Sequence, residues 1–178
     1  MDKKIKILIK NDQKIKRQYS PFANRYVELF ELGVRDALLL HRDYPTELRD
    51  IDRLFDRYLH YELSKNRIFF FKNDDILHRF TQKLTVIGTI SAYDRGIILG
   101  YPPSACQYHS DQTIPRSEYV SINYHGIFFG TVKSDIQNSI QYLLEHTPVP
   151  IELQSGIYEI TKNPENPNKF IAKEIIIN

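Results

Sequence analysis

The chain has 178 residues, with 24 Lys plus Arg, 22 Asp plus Glu, seven Gly, one Cys and no Trp. That length fits one domain able to bury a sizeable core, and 42% hydrophobic with 26% charged residues excludes the low-hydrophobicity, high-charge composition of disordered chains. A single Cys excludes an intramolecular disulfide, a Cys-rich zinc site and an iron–sulfur cluster, and it points to a reducing compartment.

Positive charge gathers at one end: residues 1–17 hold seven Lys and Arg against Asp2 and Asp12. Within them Lys4-Ile5-Lys6-Ile7-Leu8-Ile9-Lys10 alternates with period two, the pattern of a half-buried strand whose lysines guard a sheet edge. The same Lys4, Lys6 and Lys10 would make a basic stripe for phosphates, so nucleic-acid binding is one functional alternative.

Ser20-Pro21 marks a helix start, and the apolar positions from Phe22 to Leu40 predict a mostly buried helix running to about His41. Tyr44-Pro45 ends it. A second helix follows, with Ile51, Leu54, Phe55, Tyr58, Leu59 and Leu63 on one face, and the two helices are expected to form an antiparallel hairpin. Arg67-Ile68-Phe69-Phe70-Phe71-Lys72 reads as a strand or an extended core anchor. Asn73-Asp74-Asp75 caps a third helix. Its end is ambiguous, because 84–90 suits a helix or a strand; the preferred reading carries the helix, kinked at Gly88, to a terminating Gly100, with Pro102 opening the next.

Beyond residue 110 the pattern turns to strands. Two apolar runs around His125-Gly126 predict a hairpin, and Ser134-Asp135 caps a helix with Ile136, Ile140, Leu143 and Leu144 on one face. Strands are expected near Ile151–Leu153, Ile157–Thr161 and Phe170–Ile177, the last two joined by a Pro- and Asn-rich loop. The sum is a single α+β domain over 1–178, helix-rich at 20–110 and strand-rich at 119–178. Its helical N-terminal half would pack on an antiparallel or mixed sheet formed mainly by the C-terminal half plus the N-terminal strand.

The chain carries no P-loop, Gly-x-Gly-x-x-Gly, Gly-x-Ser-x-Gly, His-Glu-x-x-His or EF-hand loop, which argues against common nucleotide, hydrolase and metal chemistries. The six His lack His-x-x-x-His spacing, so neither a metal nor a cofactor is expected. The densest local cluster runs from Ala92 to His109 and holds Arg95, Tyr101, Cys106, Tyr108 and His109. With Cys106 and His109 on one helical face, and His125 or His41 able to supply a base, a Cys/His-dependent hydrolase or transferase is an alternative. A lone Cys is more often a small buried hydrophobe.

Twelve Tyr with no Trp make Tyr the available interface anchor. The leading expectation is therefore a cytoplasmic binding or regulatory protein acting on a protein partner. Its site would be Arg95, Tyr101, Tyr108 and His109 at one corner, with Tyr124 and His125 on the hairpin. No apolar run reaches the ~18–20 residues that cross a bilayer, and the N-terminus lacks a signal peptide's apolar stretch, so no membrane contact is expected. The 23 Ile against 5 Ala fit an AT-rich genome, that of a low-GC bacterium or its phage.

Overall fold

The structure is a computed structural model describing residues 24–111, 113–166 and 168–177. The lysine-rich strand expected at Lys4–Lys10 and the Ser20-Pro21 helix start lie outside them. The fold is α+β, with six helices and two antiparallel sheets among the described residues. None of those helices is long and apolar enough to cross a membrane. The chain divides into two compact units, Tyr26–Ser110 and Asp111–Asn178 with Arg25.

Within Tyr26–Ser110 the elements are α1 (Tyr26–Glu31), β1 (Ala37–His41), α2 (Pro45–Phe55), β2 (Leu59–Ser64), β3 (Arg67–Phe71), α3 (Asp74–Thr81), α4 (Ala92–Ile98) and α5 (Pro103–Ser110). The sheet order is β1-β3-β2, with β3 antiparallel to both neighbours. β1 and β2 therefore run parallel, and α2 is the crossover that parallel strands require. Ile68, Phe69, Phe70 and Phe71 are all 0% exposed. Ile68 and Phe70 pack with Phe30, Leu38, Leu40, Ile51 and Leu54, whereas Phe69 and Phe71 pack with Ala37, Ile76, Phe80 and Leu99. α1 and α2 thus cover one face of the sheet, and α3 with the end of α4 covers the other. A strand buried on both faces cannot alternate with polar residues, which is why this run is continuously apolar.

Several elements differ from their expected extents. The helix expected to reach His41 stops at Glu31. Gly33 (φ +79°) takes the left-handed conformation, its N–H bonds to the Phe30 carbonyl, and the Val34 N–H reaches back to Leu29. This is the Schellman closure, and glycine permits it without steric cost. Freed from the helix, Ala37–His41 becomes the edge strand β1. The second helix ends at Phe55, so no helical hairpin forms. Tyr61 and Leu63 sit instead on β2, where they join the Phe69/Phe71 cluster.

The long third helix is two helices. Asn73 caps α3 by accepting from the Ile76 N–H at 3.0 Å. Ser91 caps α4 reciprocally: its Oγ accepts from the Asp94 N–H at 3.0 Å and donates to Asp94 Oδ2 at 2.6 Å. Residues 84–90 between them are neither helix nor strand. Gly100 ends α4 by the same closure as Gly33, with the Tyr101 N–H bonded to the Gly96 carbonyl.

The other unit contains β4 (Tyr119–Tyr124), β5 (Ile127–Val132), α6 (Ile136–His146), β6 (Ile157–Lys162) and β7 (Phe170–Glu174) in the sheet order β5-β4-β6-β7, antiparallel throughout. Residues 151–153, expected as a strand, form a short 3₁₀ turn, the Leu153 N–H bonding back to the Pro150 carbonyl. Asp135 sits at the start of α6 but caps no backbone amide. Its carboxylate accepts instead from Asn138 Nδ2 at 2.9 Å and Ser139 Oγ at 3.0 Å, and Ser139 lies 3.2 Å from Thr131 Oγ1. That buried polar chain ties α6 to β5.

Removing either face of β3 is expected to cost about 3–5 kcal/mol, the range for a large aromatic truncated in a core. Phe69→Ala and Phe70→Ala should both show this loss in denaturant unfolding, while Phe170→Ala, at a residue 54% exposed on edge strand β7, should cost less than about 1 kcal/mol. Equal losses for Phe70→Ala and Phe170→Ala would contradict burial on both faces.

Candidate binding site

The residues singled out from the sequence are divided between the two units. Arg95, Tyr101, Cys106, Tyr108 and His109 lie in Tyr26–Ser110, and Tyr124 and His125 in Asp111–Asn178. His109 is exposed at the end of α5, and Arg95 and Tyr108 are half-buried.

Cys106 is buried, 5% exposed, with its Sγ 3.8 Å from the Tyr101 carbonyl. A Cβ placed on Gly96 would fall on that sulfur, so Gly96 is the notch that lets α5 settle on α4. Burial pushes the thiol up to about 11. At neutral pH it is a protonated packing group, whereas nucleophilic cysteines have depressed pKa values.

Tyr124 and His125 are also interior groups. Tyr124 is 1% exposed, its hydroxyl donates to the Thr147 carbonyl at 3.4 Å, and burial pushes the phenol up to about 12. His125 and Gly126 form the two-residue β4–β5 turn with φ +52° and +99°, the both-positive geometry of a tight hairpin. The His125 ring is 5% exposed, and its Nδ1 accepts from the backbone N–H groups of Ser155 (3.2 Å) and Gly156 (3.1 Å). Arg25 clamps this turn: its backbone N–H donates to the Gly126 carbonyl at 3.1 Å, and its guanidinium donates to the carbonyls of Leu153 and His125.

The side chains that do converge lie along the outer edge of β1, unpaired among the described residues. A cavity of about 260 Å³ is lined by Tyr26, Arg35, His41, Tyr44, Glu47 and Tyr101, with leucines from β1 and Leu99 beneath. Arg35 is 4% exposed. Its Nη2 donates to the Leu99 carbonyl, and its Cζ lies 5.1 Å from the Tyr26 ring centre and 4.9 Å from that of Tyr101. Glu47 turns back from α2 to accept the His41 backbone N–H at 2.6 Å, and the His41 and Tyr44 rings meet at 5.6 Å. Tyr44 is 55% exposed and stands at the rim.

A larger hollow of about 430 Å³ between α6 and residues 175–177 is lined by isoleucine, leucine and side-chain amides, with no ionisable group. The β1 pocket is the smaller of the two and the one with chemical character. No three His, Cys, Asp or Glu among the described residues are placed to hold a metal ion.

Of the residues singled out from the sequence, Tyr101 and His41, the latter named there as a possible base, line the β1 pocket. The signal for the pocket was present in Arg35, Leu39 and His41, which share strand parity, but it appears only when 37–41 is read as a strand. No family model matches the chain, and neither a curated protein nor a solved structure matches it.

The thiol and phenol shifts set an alkaline limit. Both groups are raised in the folded chain, so each contributes stability that is full below its ordinary value, 9.0 for the thiol and 10.0 for the phenol, and is lost as pH rises toward about 11 and 12. Native Cys106 should resist iodoacetamide at pH 7.5 and label once the chain is unfolded. Stability should fall above pH 9; rapid labelling of the folded protein would contradict this account.

Proposed function

We propose that the protein acts by binding rather than by catalysis, and that its site is the β1-edge pocket, sized for a small molecule. The observation that carries this reading is Arg35, a buried guanidinium that lines an open cavity among aromatic walls. Recognition pockets of this kind are concave and mainly apolar, with a few convergent polar groups. The buried, elevated thiol of Cys106 supports the same reading, because it disfavours the nucleophile on which the Cys/His alternative depends.

A protein partner is a second reading, and one feature favours it. The turn Thr85–Gly88 is closed by the Gly88 N–H to the Thr85 carbonyl (2.8 Å), the Thr85 N–H to the Thr89 carbonyl (2.7 Å) and the paired Thr85 and Thr89 hydroxyls (2.8 Å). It holds Val86 and Ile87 out at 106% and 83% exposure. Two aliphatics on a braced tip suit insertion into a partner's apolar pocket.

Ligand-observed NMR with a library of small metabolites separates the two readings. Hits should bind wild type and the Val86→Ser/Ile87→Ser variant alike and weaken severalfold with Tyr44→Ala. A library without hits, or hits indifferent to Tyr44→Ala, contradicts the pocket reading. A protein bound by wild type and lost only with the Val86→Ser/Ile87→Ser variant supports the second.

A further inference from the structure

We propose that the β1-edge pocket takes a small monoanionic carboxylate with a ring or compact apolar body, held through its carboxylate by Arg35. This rests on the pocket reading and adds the chemistry of the ligand.

A charged group buried away from water is ordinarily paired. Arg25 and Arg35 are both 4% exposed, yet they are treated differently. The Arg25 guanidinium donates to two backbone carbonyls and clamps a turn. The Arg35 guanidinium donates to one carbonyl and lies against two tyrosine rings, and no carboxylate among the described residues pairs with it. Two ring contacts and one neutral acceptor offset part of the desolvation cost. They leave side-chain N–H donors at a cavity wall, where an anion would complete the set. Guanidinium presents those donors as a fork that matches carboxylate geometry.

The rest of the lining narrows the anion. Glu47 stands in the same pocket with its Oε2 already accepting from His41. With Glu47 already beside the guanidinium, each added negative charge goes uncompensated within the pocket, so a monoanion is tolerated better than a phosphate dianion. The walls are Tyr26, Tyr44, Tyr101 and the His41 ring, which favour a flat or apolar body. A cavity of about 260 Å³ falls below the ~300–1,000 Å³ that accepts drug-sized ligands, so the ligand is metabolite-sized.

Thermal-shift titration of the full chain tests this with benzoate, its neutral isostere benzamide, and inorganic phosphate. Benzoate should raise the Tm with concentration, and benzamide and phosphate should do so far less. Arg35→Gln should weaken apparent benzoate affinity roughly 10- to 100-fold, the range for one charge-assisted contact. Tyr44→Ala, at an exposed rim position, should weaken it severalfold in a folded chain, so the test survives if Arg35→Gln fails to fold. Benzamide matching benzoate, with both sensitive to Tyr44→Ala, overturns the carboxylate and leaves the pocket reading standing. Phosphate exceeding benzoate overturns the monoanion. No benzoate response, or one unmoved by either variant, overturns the proposal, and with an empty metabolite screen it overturns the pocket reading too.

Discussion

Ile68-Phe69-Phe70-Phe71 is a strand with no surface, and the Tyr26–Ser110 unit follows from that constraint. Four consecutive apolar side chains on an extended backbone point alternately to opposite faces, so each face needs its own cover. α1 and α2 supply one and α3 with the end of α4 the other. The edges need partners as well, because unpaired N–H and C=O groups in a core are costly. β1 and β2 fill those positions, and α2 is the connection that lets them flank β3 in parallel.

The pocket lies along the edge of β1 that no strand among the described residues pairs with. Its lining is assembled from both sides of the sheet: Tyr26 comes from α1, Glu47 from α2, and Leu99 with Tyr101 from the end of α4. Arg35 enters just before the strand and reaches Leu99, 64 residues away in sequence. Gly100 (φ +76°) ends α4 so that the Leu99 carbonyl and the Tyr101 ring face the guanidinium. Cys106, on the far side of Gly96, contributes packing that sets where α5 follows α4. Helix termination, not a sequence motif, builds this site.

What was legible in the sequence was local. The β3 run, α2 through Phe55, the Asn73 cap, the His125-Gly126 hairpin and the Ile136–His146 helix each announce themselves within a dozen residues by period, cap or turn chemistry. Two of the extents that differed, those of the first and second helices, share one cause. Leu38-Leu39-Leu40 and Leu59–Leu63 satisfy helical spacing as well as strand alternation, and only the Schellman closure at Gly33 and the demand of β3 for partners decide between them. The site was less legible still, because Arg35, Tyr44 and Tyr101 converge through the sheet rather than along the chain. The Cys106 and His125 clusters were visible because their members are close in sequence; Cys106, Tyr124 and His125 are buried, whereas His109 is exposed.

The contrast between the two buried arginines is the sharpest statement of the account. Arg25 spends its guanidinium on the backbone of a hairpin turn, and Arg35 offers its own to a cavity. Side-chain ¹⁵N–¹H spectra of arginine report both in one sample. Titrating the protein with benzoate should move the Arg35 Nε–Hε signal in a saturable way and leave that of Arg25 in place. An unmoved Arg35 signal, or equal shifts at both arginines, would contradict the claim that Arg35 is the anion-binding group of an open pocket.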